Sequence, residues 1–253
     1  MKSVSLVIIV LIASTCIYAQ PSRFNIKQYT NGRGDTLNYR MLGPDYNISR
    51  KYPLVVFLHG SGESGNDNQA QLLWGVMNFA TDQAMARHPS FVIAPQCPKD
   101  LEWENFSENE KTREIKLNPM PSRPMELVIE LIRQMVKTLP IDTSRIYITG
   151  LSMGGHGTYD AIERYPDLFA AAVPVCGGGD PSKAALIAKI PIWIFHGAED
   201  PGVNTLYSLD MAEALFKAGG HPGLTIYPGT GHFAWLAAYT DQNMIDWLFS
   251  QHK

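Results

Sequence analysis

A serine hydroxyl is a weak nucleophile until a neighbouring base takes its proton. This chain offers one serine in a setting built for that purpose, within Thr149-Gly150-Leu151-Ser152-Met153-Gly154-Gly155. The Gly-x-Ser-x-Gly spacing follows an apolar run at 146–149 and precedes a helical stretch at 155–165. A strand that turns abruptly into a helix lifts the Ser152 hydroxyl above the edge of a sheet. Bulky side chains would clash in so tight a turn, and Gly150 and Gly154 avoid the clash. The helix that starts beneath the serine directs its N-terminal N–H groups toward developing negative charge. The plain alternative is a Gly-Ser turn that matches by chance. The strand–turn–helix context argues against it.

The base and its partner should follow downstream, since serine, acid, histidine is one of the chain orders in which this relay occurs. Phe195-His196-Gly197-Ala198-Glu199-Asp200-Pro201 closes an apolar run, so Asp200 stands at the C-terminal end of a strand, where open sheets collect ligand chemistry. Gly229-Thr230-Gly231-His232-Phe233 follows the last strand candidate and puts His232 on a glycine-flanked loop. In this reading His232 takes the proton from Ser152 and returns it to the leaving group, while Asp200 holds the imidazole tautomer. Glu199 and Asp180 are competing acids, and His196 reads as structural. His156 reads as a helix-surface residue, and His88, His221 and His252 as water-facing. A tetrahedral oxyanion also needs two N–H donors. The backbone N–H of Met153 supplies one, and Leu58-His59-Gly60-Ser61-Gly62-Glu63, after an early strand, offers the Ser61 N–H as the other.

These residues need a scaffold to hold them. The chain has 253 residues, 45% of them hydrophobic and 18% charged, with a net charge of −3. That suits a single packed domain, and no Lys/Arg cluster suggests a nucleic-acid surface. Lys2, an apolar run at 4–13 and the small residue Ala19 read as a secretory leader cut after residue 19. The expected product is one catalytic domain at 20–253, secreted or periplasmic. The apolar run is too short to cross a bilayer, which takes roughly 20 apolar residues, so no stable membrane insertion is expected. Residues 24–41 read as an antiparallel hairpin around Asn31-Gly32-Arg33-Gly34-Asp35. Continuous apolar runs at 53–58, 91–94, 146–149, 170–175, 190–195 and 224–227 read as buried parallel strands. Helical periods at 124–139, 155–165, 206–218 and 234–250 lie between or after them. The fold class is α/β, a mostly parallel sheet with helices on both faces. Residues 99–123, polar and proline-bounded, read as one long functional loop.

Taken in order, Leu58-His59-Gly60-Ser61-Gly62-Glu63, Ala94-Pro95-Gln96-Cys97-Pro98 with Trp103, Gly150-Leu151-Ser152-Met153-Gly154-Gly155, Val175-Cys176-Gly177-Gly178-Gly179-Asp180, His196-Gly197-Ala198-Glu199-Asp200 and Gly231-His232 resemble the predicted-peptidase and phospholipase/carboxylesterase-like esterases, near dienelactone hydrolase and the feruloyl and acetylxylan esterases. The resemblance implies an α/β-hydrolase fold, a triad of Ser152, Asp200 and His232, and neither metal nor organic cofactor. It also implies that Glu63, Gln96 and Trp103 line the substrate site. In the usual strand order of that fold two strands separate Cys97 from Cys176. That puts them roughly 14 Å apart, beyond the ~7 Å reach of a disulfide, so two free thiols are expected. The function expected is hydrolysis of carboxylic esters, with acetyl or feruloyl esters of plant cell-wall carbohydrate favoured and Trp74, Trp103 and Trp235 as candidate ring-binding faces. A serine peptidase and a catalytically silent binding protein are the alternatives. Nothing in the sequence sets the oligomeric state.

Overall fold

A computed structural model describes residues 23–45, 47–109 and 111–253; the leader expected at 1–19 and Cys16 lie outside them. Among the described residues ten strands form: β1 (Asn25–Thr30), β2 (Thr36–Leu42), β3 (Tyr52–Leu58), β4 (Phe91–Pro95), β5 (Phe106–Asn109), β6 (Glu114–Leu117), β7 (Ile141–Leu151), β8 (Ala171–Val175), β9 (Trp193–Gly197) and β10 (Gly223–Tyr227). Eight of them make one sheet in the order β1-β2-β4-β3-β7-β8-β9-β10. β1 and β2 are the antiparallel hairpin read from the sequence, and β2 joins β4 antiparallel. From β4 to β10 every pairing is parallel.

The apolar runs follow from burial on both faces. Every residue of β3 is buried, and successive side chains point to opposite sides of the sheet. Leu54, Val56 and Leu58 pack into one core layer, Val55 and Phe57 into the other. The helices are α1 (Asp82–Arg87), α2 (Arg123–Thr138), α3 (Met153–Arg164), α4 (Ala184–Ile187), α5 (Leu206–Lys217), α6 (Trp235–Thr240) and α7 (Gln242–Ser250). The first layer is covered by α2, α3 and α5, the second by α6 and α7 with the turn at Val76–Ala80. Ser122 caps α2 by accepting from Met125 N at 3.2 Å, and Pro124 in the first turn costs no hydrogen bond.

The structure departs from the sequence reading in three places. The 99–123 stretch is not all loop, because β5 and β6 pair as a two-stranded antiparallel sheet within it. Its strands are mostly exposed and polar, with Ile115 as the buried anchor, so no apolar run marked them. The helix expected at 234–250 is broken at Asp241, which is extended (φ −74°, ψ 106°) and caps α7 by accepting from Asn243 N. The strand expected at 190–195 starts only at Trp193, preceded by an isolated bridge from Ile192 to Ala172. Cys97 and Cys176 are buried and unbonded. They follow β4 and β8, with β3 and β7 between them as the strand order required. Iodoacetamide should therefore leave both thiols unlabelled in the native protein at pH 8 and label both after denaturation, as read by peptide mass mapping. A native disulfide between them would contradict the structure.

Candidate active site

The site is built on the ends of β3 and β7. These strands run parallel with Leu58 level with Gly150, so the loop after one and the turn after the other emerge side by side. Ser152 has φ 55° and ψ −119°, outside the ordinary regions for a residue with a Cβ. Such a conformation costs on the order of 1–3 kcal/mol and must be held by its surroundings. Ser152 N donates to Val175 O at 2.9 Å, and Ser152 O accepts from Gly155 N at 2.7 Å and His156 N at 3.0 Å. The two glycines are sterically required. A Cβ on Gly154 would stand 2.0 Å from Leu58 O, and one on Gly150 would stand 2.3 Å from Gly154 O.

Three side chains from three loops then meet. Ser152 Oγ lies 2.8 Å from His232 Nε2, and His232 Nδ1 lies 2.7 Å from Asp200 Oδ2. With the carboxylate accepting at Nδ1–H, Nε2 offers its lone pair to the serine hydroxyl. The acid and histidine loops are laced together, with Glu199 N donating to Thr230 O at 2.9 Å and Ala198 N to Tyr227 O at 3.0 Å. Gly197 permits this approach, since a Cβ there would fall 2.2 Å from Gly231 O. Burial alone would push the Asp200 carboxyl up. Hydrogen bonds from His196, His232 and the amides of Val203 and Gly202 outweigh that and hold it well below the usual carboxylate range. His196 is a contributor the sequence reading left as merely structural. Its Nε2 faces two acceptors, Val203 O at 3.0 Å and Asp200 Oδ2 at 3.2 Å, so it carries the proton there. The competing acids fall elsewhere. Glu199 is exposed, and Asp180 caps the turn at Pro181–Lys183 and accepts from Leu117 N at 3.0 Å. Cys176, His196 and Asp200 bring potential metal-ligand atoms within 4.8 Å of one another, but the Asp200 and His196 atoms are already engaged in the bonds just described.

The N–H groups of Met153 and Ser61 occupy the first positions of α3 and of the helical turn Ser61–Glu63, where a helix has no acceptor of its own for them. Gly60 lets that loop lie close against the elbow, since a Cβ on it would stand 2.9 Å from Leu151 Cδ1. The residues expected to line the substrate site turn out to support this loop. Trp103 and Gln96 are fully buried, and Glu63 nearly so. Gln96 Nε2 donates to Glu63 O at 3.1 Å and Asp67 Oδ1 at 2.8 Å, while its Oε1 accepts from Asn68 N at 2.7 Å. Trp103 Nε1 donates to His59 O at 3.0 Å. Glu63 bonds the indole of Trp74, and its carboxyl is raised first by burial. His59, unremarked in the sequence, completes the support. Cys97 N donates to its Nε2 at 2.9 Å and its Nδ1 lies 2.6 Å from Gly60 O, while burial lowers its pKa to about 4. A long buried tryptophan and a glutamine in a signature read alike whether they touch substrate or brace a loop. Their sequence carries no mark of the difference.

Two clefts flank the serine. One, of about 1010 Å³, reaches from Ser61 and Met153 along Asp100, Glu102, Glu104 and Asn105. The other, of about 910 Å³, runs past Asp200, His156, Glu108 and Tyr207. His156 is half-buried, facing the second cleft rather than the open helix surface. Its Nδ1 lies 2.9 Å from Gly178 O and 3.1 Å from Gly178 N, tying α3 to the glycine turn after β8, and burial lowers its pKa. His88 also departs from expectation, with Nε2 2.7 Å from Asp246 Oδ1. In the first cleft Glu104 Oε2 is buried without a hydrogen bond among the described residues. Burial, with Glu102, Asp160 and Glu108 nearby, pushes its carboxyl up to about 8.

Sheet order, elbow and relay together define an α/β-hydrolase fold. The phospholipase/carboxylesterase family matches residues 47–241, and the chain belongs to that family, a class of carboxylic ester hydrolases. A thermostable esterase of known structure is 41% identical with a TM-score of 0.84, covering 92% of this chain and 64% of its own. A bifunctional acetylxylan esterase/xylanase of Neocallimastix patriciarum is 26% identical over 71% of this chain and 24% of its own length. The chain thus spans about a quarter of one relative and under two thirds of the other. A ferulic acid esterase from Anaeromyces mucronatus shares the fold, with a TM-score of 0.62 at 16% identity over 88% of this chain and 89% of its own. No described helix is long and apolar enough to cross a membrane.

The raised Glu104 carboxyl ties stability to pH. Its ordinary value is 4.5, so between about 4.5 and about 8 the folded state holds a proton that the unfolded chain has released. Stability from this group is present below that window and is lost as pH rises through it. Thermal melts from pH 4.5 to 9 should show the wild-type Tm falling with pH relative to that of Glu104→Gln. An unchanged slope would place the titration elsewhere.

Proposed function

We propose that this protein is a serine carboxylesterase working through an acyl-enzyme, with acyl esters of plant cell-wall carbohydrate, acetyl esters foremost, as substrates. The observation that carries the reading is the continuous relay from Ser152 Oγ through His232 to Asp200, at 2.8 and 2.7 Å. As Ser152 Oγ bonds to the ester carbonyl carbon, its proton passes to His232 Nε2 and the carbonyl oxygen becomes an oxyanion facing the Met153 and Ser61 amides. Collapse breaks the bond to the alcohol oxygen, which leaves with the proton from His232. Water, deprotonated by His232, then attacks the acyl-enzyme, and the carboxylic acid departs as Ser152 recovers its proton. Asp200 stays ionised throughout and stabilises the imidazolium.

Three things support the substrate class. The acetylxylan esterase named above is a relative, both clefts carry carboxylates and amides suited to hydroxylated substrates, and the charged and apolar leader read from the sequence fits an exported enzyme. Release of p-nitrophenol from p-nitrophenyl acetate is the first assay. Ser152→Ala should lower kcat at least about a thousandfold with the fold intact. Acetate release from acetylated xylan should follow in the wild type. A Ser152→Ala variant as active as wild type would sink the mechanism. Preference for peptide amides over esters would replace the esterase reading with a peptidase.

A further inference from the structure

The mechanism makes one face of the site special. His232 hands its proton to the departing alcohol, so the alcohol half of the ester has to lie on the His232 side. On that side the surface is apolar. Phe233, the next residue in the chain, is 56% exposed. Trp74, half-buried, stands edge-on to Phe233 with ring centroids 6.0 Å apart. Phe233 is tilted against Trp235 at 4.8 Å, and Trp235 stands edge-on to the His232 imidazole at 5.0 Å. Scattered single hydrophobics on a surface need no account, but adjoining ones beside a reactive group do. Of the three tryptophans the sequence offered for ring binding, Trp103 and Trp235 are buried, which leaves Trp74. Its indole also neighbours the Glu63 carboxyl on the oxyanion loop. The rim therefore runs from that loop through Trp74 and Phe233 to His232.

We propose that Trp74 and Phe233 form the leaving-group subsite, and that its occupant is a cyclic alcohol presenting an apolar ring face. A pyranose, with its axial C–H groups, and an aryl ring share that chemistry, whereas a short open-chain alcohol offers too little surface to cover the rim. The inference rests on the esterase reading and deepens it.

The test holds the acyl group constant. kcat/KM is measured for ethyl acetate, phenyl acetate and a mono-O-acetylated methyl xyloside, on wild type, Phe233→Ala, Trp74→Ala and Phe233→Tyr. The alanine variants should lower the ratio of ring ester to ethyl acetate about tenfold, mainly through KM, and Phe233→Tyr should restore it. Loss confined to the xyloside identifies a sugar, and loss confined to phenyl acetate identifies an aryl alcohol. Equal loss on all three esters would reduce the rim to a support for His232 and overturn the proposal, as would no loss at all. A shift that instead tracks acyl length across ethyl esters, or a dimer in solution that Phe233→Ala dissociates, would also overturn it. A wild type that turns over ethyl acetate but neither ring ester would sink the subsite alone. A wild type inert on every ester and unlabelled by a fluorophosphonate would sink the esterase reading itself.

Discussion

Everything in this site depends on how closely the turn after β7 approaches the end of β3. The backbone of Gly154 touches the carbonyl of Leu58, leaving no room for a methyl group. That contact puts the serine, the first amide of α3 and the amide of Ser61 around one small volume. It also explains why Ser152 can be held at positive φ. The strand ends on either side are fixed by parallel pairing to β3 and β8, and the helix that follows is buried along most of its length. A strained residue persists where such surroundings over-determine it. Here they are the middle of the sheet, where β7 is paired on both edges.

The acid end of the relay solves a different problem. A carboxylate with no exposed side-chain surface is costly unless its oxygens are satisfied. Asp200 Oδ1 accepts from Gly202 N at 2.8 Å and Val203 N at 2.9 Å, and Oδ2 is shared between two imidazoles. These bonds keep it ionised, which is the state that can pair with an imidazolium. They also fix the carboxylate in place, and the backbone bonds between the acid and histidine loops hold His232 against it.

The parts of this design that were legible in the sequence are those that demand a particular residue type. Gly150, Gly154, Ser152, Asp200 and His232 are dictated by sterics or chemistry, and the strands that carry them are apolar on both faces, so their spacing and order were enough to bring them together. What escaped was decided by tertiary context. β5 and β6 hold together through ladder bonds and one buried isoleucine, which leaves no periodic trace. Gln96 and Trp103 could face inward or outward with the same neighbours in sequence. His196 gave no sign that it would share an oxygen with His232, because the turn that folds Asp200 back beneath it is set by Gly202 and Val203 amides.

The burial of Gln96 and Trp103 changes how the two sides of the serine differ. Had they lined the cleft, an amide and an indole would have faced the acyl group on the oxyanion side. With both withdrawn into the loop's foundation, that cleft is walled by the acidic Asp100, Glu102 and Glu104 together with the basic Lys99 and Arg123 and the apolar Leu101, Pro121, Pro124 and Met153. On the other side, Phe233 and Trp74 stand close to the group that protonates the leaving oxygen, joined to the His232 imidazole through Trp235. A ring resting on those two side chains would hold its alcohol oxygen on the side from which His232 delivers the proton, and so the aromatic rim and the proton donor would act on the same half of the ester.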